Sequence, residues 1–187
     1  MNVLKYLNNL LKYLSLPVKD RRVIFYSEGK DYWSYLQGLI VELVEEYYVS
    51  VCYLTSDYFD PGLIFKNDRY NAFVIGDGHI RSWLFENITA ELVVLTMPDL
   101  NQYQIKRSKN KVHYIYVQHS LASLHTIYRN GAFDYFDTIF CAGPHHEKEI
   151  MAMEFANNLP KKKLVRHGYS LLDLIIQESK SNYSDSN

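Results

Sequence analysis

The sequence predicts a single α/β domain of the Rossmann-like kind, a doubly wound parallel sheet with helices on both faces. Two observations predict it. Short apolar, β-rich runs recur along the chain and are separated by segments of helical periodicity. The chain also has 187 residues, 48% of them hydrophobic, enough to enclose one real core.

The first β-rich run covers residues 23–26 and turns at Ser27-Glu28-Gly29. Residues 31–47 then carry helical spacing through Trp33, Leu36, Ile40, Leu43 and Val44. A second strand is expected over 49–54, followed by a loop holding Asp57, Asp60, Pro61 and Gly62. A third, over 72–75, is broken by Gly76-Asp77-Gly78 before a helix at 79–86. A fourth, over 92–96, is stopped by Pro98, and the polar, basic stretch 101–111 reads as a solvated connection. Strands five and six are expected at 113–117 and 138–141, and Gly143-Pro144 opens a helix that runs to about Asn157. Residues 18–176 form the domain on this reading. The Ser/Asn/Asp-rich residues 177–187 read as a linker or disordered tail.

Residues 1–17 stand apart as an amphipathic helix. Val3, Leu4, Leu7, Leu10, Leu11 and Leu14 recur at helical spacing opposite Lys5, Asn8, Asn9 and Lys12, and Pro17 ends the run. Two readings stand: a helix docked on the domain, or a helix lying on a membrane surface with Lys5, Lys12, Lys19, Arg21 and Arg22 near the headgroups.

Composition narrows the function classes. A formal net charge of −1 gives no global attraction to nucleic acid. Cys52 and Cys141 sit far apart inside apolar runs and read as buried free thiols, not as a disulfide framework. No secretory signal and no bilayer-spanning stretch is legible, so a cytoplasmic location is expected, with peripheral attachment to the inner face of the cell membrane if the first helix meets lipid.

In parallel sheets function gathers in the loops at the carboxyl ends of the strands. Three such loops hold candidates: Ser27-Glu28-Gly29-Lys30, Gly76-Asp77-Gly78-His79-Ile80-Arg81, and the segment from Gln118 through His119, Ser120 and Ser123 to His125. His119 directly follows a strand. An imidazole there can take a proton from a hydroxyl nucleophile near neutral pH, or it can simply satisfy a turn. The Gly76-Asp77-Gly78 glycines suit close ligand approach, but the full dinucleotide fingerprint is missing; plain turn chemistry explains them, and Arg81 reads as a surface cation. His145-His146 are adjacent on a helix, point about 100° apart and lack metalloprotease spacing. No metal or cofactor is therefore expected. Glu147 and Glu149 suit a first helical turn, and Lys161-Lys162-Lys163 reads as a solvated turn.

Three of these segments resemble the CDP-glycerol:poly(glycerophosphate) glycerophosphotransferase family, which makes teichoic-acid-type polymers of the cell envelope. Tyr116-Val117-Gln118-His119-Ser120 is similar to the family's strand ending in a catalytic histidine. The stretch from Phe136 to Pro144 is similar to the following strand and turn. Arg166-His167-Gly168-Tyr169-Ser170-Leu171-Leu172-Asp173 resembles its Gly-Tyr-Pro-x-x-Asp segment at the domain junction. Ser120 and Ser170 stand where the family usually has Gly and Pro.

The resemblance implies the amino-terminal half of a glycosyltransferase-B architecture. This half would face the acceptor, a polyol phosphate or a glycan. A second domain outside these residues would bind CDP-glycerol or another nucleotide-activated donor. His119 would be the catalytic base, Ser120, His125 and Arg129 would hold phosphate, and Glu28, Gly29, Asp77 and Gly78 would line neighbouring loops. A sugar-nucleotide glycosyltransferase or epimerase half, and a non-catalytic binding module of the same fold, are the alternatives.

Overall fold

A computed structural model describes residues 2–103 and 105–184 of the chain. The strands are β1 Val23–Ser27, β2 Val51–Thr55, β3 Tyr70–Val74, β4 Leu92–Leu95, β5 His113–Val117, β6 Thr138–Cys141 and β7 Lys163–Arg166. They form one sheet in the order β3-β2-β1-β4-β5-β6-β7, and every pairing is parallel. The helices are α1 Asn2–Ser15, α2 Trp33–Glu45, α3 His79–Asn87, α4 Leu124–Ile127, α5 Pro144–Ala156 and α6 Ser170–Ser184. The predicted class, a Rossmann-like doubly wound α/β domain, is the observed one.

Strand alternation distributes the core between the two faces. Ile24 and Tyr26 of β1 pack with Cys52, Leu54, Tyr114 and Tyr116 against Leu10 and Tyr13 of α1, Leu84 and Phe85 of α3 and Ile150 of α5. Phe25, Val51, Tyr53, Val94 and Val117 point the other way, onto Leu36, Ile40 and Val44 of α2. All five residues of β2 are buried, as expected of a strand covered on both sides. Cys52 and Cys141 are buried and unbridged.

Four local expectations are corrected. Lys163 opens an edge strand instead of closing a solvated turn, and β7 pairs with β6 from Thr138↔Lys163 to Cys141↔Arg166. Its basic, half-exposed K-L-V-R sequence suits an edge, where charge discourages further pairing. Helix α6 runs to Ser184 through residues expected as a linker or disordered tail from 177; residues 185–187 of that expected tail lie outside the described residues. Arg81 is 5% exposed, not a surface cation: its Nη1 donates to Tyr26 Oη at 3.0 Å. On α1, the residues that dock are Leu10 and Tyr13, while Val3, Leu4, Leu7, Leu11 and Leu14 remain exposed.

Two local devices fix the loops beyond β2 and β3. Asp60, buried between β2 and the following turn, accepts hydrogen bonds from Tyr53 Oη, from Thr55 Oγ1 at 2.7 Å and from the Gly62 amide at 2.8 Å. It thereby caps the short 3-10 turn Pro61–Leu63. At Gly76, φ is +68°, and a side chain there would meet the Tyr6 ring of α1 at 2.7 Å, so glycine both makes the turn and admits the helix.

Candidate functional site

The strand order reverses between β1 and β4, where adjacent strands send their connections to opposite sides of the sheet. The crevice outside their carboxyl ends is where such sheets place ligands. A cleft of ≈ 410 Å³ opens there, lined by Glu28 after β1, by Met97, Pro98 and Asp99 after β4, and by Tyr103 and Arg129. Asp99 and Asn101 have φ of 61° and 65°, a left-handed conformation that folds the loop back over the strand ends. Arg129 pairs with Asp99 at 3.3 Å and lies over the Tyr103 ring, 4.6 Å from its centroid.

His119 stands two residues past the end of β5 and connects to this cleft through Tyr128, the chain neighbour of the lining residue Arg129. Its ring is surrounded by tyrosines: Tyr32 at 5.4 Å and Tyr35 at 5.7 Å between centroids, both from the segment that follows β1, then Tyr116 at 6.2 Å and Tyr128 at 6.4 Å. Tyr116 Oη lies 3.3 Å from His119 Nδ1, and Tyr116 Oη in turn donates to Tyr128 Oη at 3.1 Å. A fifth tyrosine, Tyr169, donates to the His119 backbone carbonyl at 3.3 Å and also contacts Tyr35. Ser170, next in the chain, donates to the carbonyl of Ser34 at 3.3 Å, which ties the start of α6 to the start of α2 beneath the site.

The electrostatics follow from this packing. Burial holds the His119 imidazole below its ordinary pKa, against an opposing hydrogen bond to the Val117 backbone. Burial pushes the Glu28 carboxyl up, and the Arg81 charge pulls it back down. The Tyr116 hydroxyl is raised well above its usual value, first by burial, then by neighbours that include Tyr128 and Glu28. The result is an imidazole whose neutral form is favoured by burial, in an aromatic surround, with the Glu28 carboxyl acting on the surrounding tyrosines Tyr32 and Tyr116. A neutral imidazole can accept a proton from a hydroxyl; a protonated one cannot.

The other sequence candidates divide. Gly29 sits at the end of β1 beside Glu28, and Ser27 Oγ donates to its carbonyl at 2.7 Å. Ser120 adjoins His119, and its Oγ accepts from the Ala122 amide at 3.2 Å, which shapes the turn. Arg129 reaches the crevice, as described. His125 does not: it is exposed, lies 2.8 Å from Ser123 Oγ and 3.8 Å from Glu149, and faces α5. Asp77 and Gly78 follow β3, the edge strand. Four strand spacings separate β3 from β5, about 19 Å. Those two residues belong to the α1 side of the molecule.

Glu149, His145 and His146 anchor the loop after β5. Glu149 accepts from Ser123 Oγ and from the Leu124 amide, both at 2.5 Å, at the start of α4. His145 Nε2 lies 3.2 Å from the Leu121 carbonyl, and the buried His146 Nε2 lies 3.0 Å from that of Ala122. Glu147 pairs with Arg166 at 3.0 Å.

Sequence reasoning missed the tyrosine surround, because its members come from separate segments and each one alone reads as packing. It also missed Thr96 and Gln118, buried at the ends of β4 and β5, with Thr96 Oγ1 and Gln118 Oε1 lacking a hydrogen-bond partner among the described residues. A larger groove of ≈ 880 Å³ runs between α2 and α6, but its ionisable side chains are Glu42, Glu46 and Asp173, with no imidazole or thiol among its lining residues. The chemistry therefore concentrates at His119 and the smaller cleft. In comparisons with known proteins, no family model, curated protein or solved structure matches the chain.

Proposed function

We propose that the protein is the acceptor-side domain of a nucleotide-donor-dependent transferase of cell-surface polymer synthesis, of the CDP-glycerol glycerophosphotransferase kind. The observation that carries this reading is His119: an imidazole whose neutral form is favoured by burial, at the carboxyl end of a parallel strand, connected through Tyr128 to the switch-point cleft. His119 takes the proton of an acceptor hydroxyl as that oxygen attacks the β-phosphorus of CDP-glycerol. The new O–P bond forms as the bond bridging the two phosphorus atoms breaks, and CMP leaves with the bridging electrons. Arg129 and Ser120 are the residues offered to acceptor phosphate. Positioning supplies most of the rate. The donor is held by a second domain, on the same polypeptide or on another chain. On this reading the protein is cytoplasmic and works against the inner face of the cell membrane.

A sugar-nucleotide glycosyltransferase is the second reading. The tyrosine rings around His119 favour it, since aromatic faces suit the C–H faces of a sugar ring. The two readings separate when the protein is combined with a carboxyl-terminal donor domain and assayed with CDP-glycerol and with UDP-sugars. CMP release from CDP-glycerol in the combination, and none from this chain alone, is the expected result. UDP release would transfer the assignment to the second reading. Silence with every donor would leave a non-catalytic binding module.

A further inference from the structure

We infer that the hydroxyls of Tyr116 and Tyr128 form a positioning relay that fixes the His119 proton on Nδ1 and so makes Nε2 the nitrogen that acts as base. The role as base rests on the function proposed above; the position of the proton does not. A neutral imidazole carries one proton for two nitrogens, and the group facing one of them decides which nitrogen holds it. Here that group is a phenol. Tyr116 Oη lies 3.3 Å from His119 Nδ1. A hydroxyl has one proton to give, and Tyr116 gives it to Tyr128 Oη at 3.1 Å. Towards His119, Tyr116 can then only accept, and Nδ1–H is the donor. Of the five tyrosines around this histidine, Tyr116 is the one whose hydroxyl reaches a ring nitrogen among the described residues.

The opposite arrangement is unfavourable. With the proton on Nε2, Nδ1 and Tyr116 Oη would turn lone pairs on each other, or Tyr116 would turn its proton back to Nδ1 and leave Tyr128 without it. Either way a polar atom beside the core loses its partner, and burial makes that loss costly. Tyr116 is fully buried, and burial also keeps its hydroxyl protonated. The Val117 backbone is the competing acceptor at the ring, and a carbonyl has no proton to offer Nδ1 in exchange. The two ring nitrogens point in different directions, so the Nε2 lone pair is turned away from Tyr116. The packing suits a relay that must hold its place. The Tyr116 ring, carried by β5, meets Phe133 edge-on at 4.9 Å and Phe136 at 5.3 Å, and Tyr128 meets the same Phe133 at 5.0 Å. These apolar contacts survive removal of the hydroxyls, which separates positioning from packing.

The test is ¹⁵N spectroscopy of the full chain labelled at histidine, at about pH 8, above the ordinary histidine value. The His119 resonances are those lost in His119→Ala. In the wild type, Nδ1 should resonate as a protonated nitrogen and Nε2 as a bare one. Tyr116→Phe removes the acceptor and should lower the ratio of Nδ1–H to Nε2–H about fivefold. Tyr128→Phe frees the Tyr116 proton to face Nδ1, and should carry the ratio further, with the proton mainly on Nε2. A merely structural role would not produce that order. A cooperative unfolding transition checks that both variants fold. In the combination with a donor domain, turnover should fall in the same order, with the KM for donor unchanged. A wild-type His119 protonated on Nε2 would overturn the inference, as would a proton that stays on Nδ1 in both variants. Turnover that is unchanged although the proton has moved would remove Nε2 as the base. A proton on Nδ1 that both variants displace, with no CMP release from the wild-type combination, would uphold the relay and remove the proposed function instead.

Discussion

Replacing His119 by alanine is expected to lower turnover by about 10² to 10⁴ in the protein combined with a donor-binding domain, with donor affinity nearly intact. The reason is local. The ring is placed by tyrosines on three sides and is anchored through Tyr116 Oη at 3.3 Å, so no other described histidine is positioned to take over its proton. The pH profile provides a second readout. Burial depresses the His119 pKa, which favours the proton-accepting form at neutral pH. Turnover of the wild-type combination should be flat above that pKa, which lies below the ordinary histidine value of about 6.5, and should fall as pH drops through it. His145→Ala should leave the chemical step near wild type, since that ring is exposed and bonds the Leu121 carbonyl. CMP release at saturating donor, measured for both variants across the acid limb, checks all three statements. Near-normal release by His119→Ala would remove its assignment as the base.

A second large effect is expected in stability. Asp60→Ala should destabilise the fold by about 3 to 5 kcal/mol, because it removes an acceptor from three donors at once. Tyr53 Oη and Thr55 Oγ1 are buried beside β2 and would lose their carboxylate, and the Gly62 amide would lose its cap. Little rearrangement can compensate. A Cβ at Gly62 would already lie 2.5 Å from the Tyr53 ring and 2.8 Å from Trp33, so the turn has no room to move inward. Asp60→Asn, which keeps the size and part of the acceptor capacity, should cost less, about 1 to 2 kcal/mol. Urea denaturation of the two variants against wild type reads both values. An alanine variant within about 0.5 kcal/mol of wild type would show that other groups satisfy the three donors.

Much of this architecture is legible in the amino-acid order because strands buried on both faces must be apolar throughout. The apolar runs 51–54 of β2 and 114–117 of β5 announce themselves in that way, although His113 at the start of β5 is exposed. β7 does not, since an edge strand written Lys-Leu-Val-Arg has the same composition as a basic turn. His119 is legible because it lies just beyond the end of a strand, and Glu28 for the same reason. Whether two strand-end loops meet depends on the order of strands in the sheet, which periodicity does not encode. Asp77 and Gly78 look equivalent to Glu28 and Gly29 until β3 is found at the edge. The tyrosine surround draws on the segments after β1, β5 and β7, so its spatial unity has no sequence signature beyond a chain with seventeen tyrosines. The helix α1 shows a different limit. Its pattern fixes an apolar stripe, but Tyr6 and Tyr13 compete with the leucines for the domain, and the tyrosine flank is the one that docks.

The placement of the acceptor at His119 is tested most directly by titrating the chain, labelled with ¹⁵N at histidine, with a short poly(glycerol phosphate) oligomer and following the imidazole resonances. The His119 signals should shift saturably, and Arg129→Ala, which removes the cleft's cation, should weaken the binding, while the His113 and His125 signals stay in place. Shifts confined to His125, or a His119 resonance that does not move at any oligomer concentration, would contradict the site.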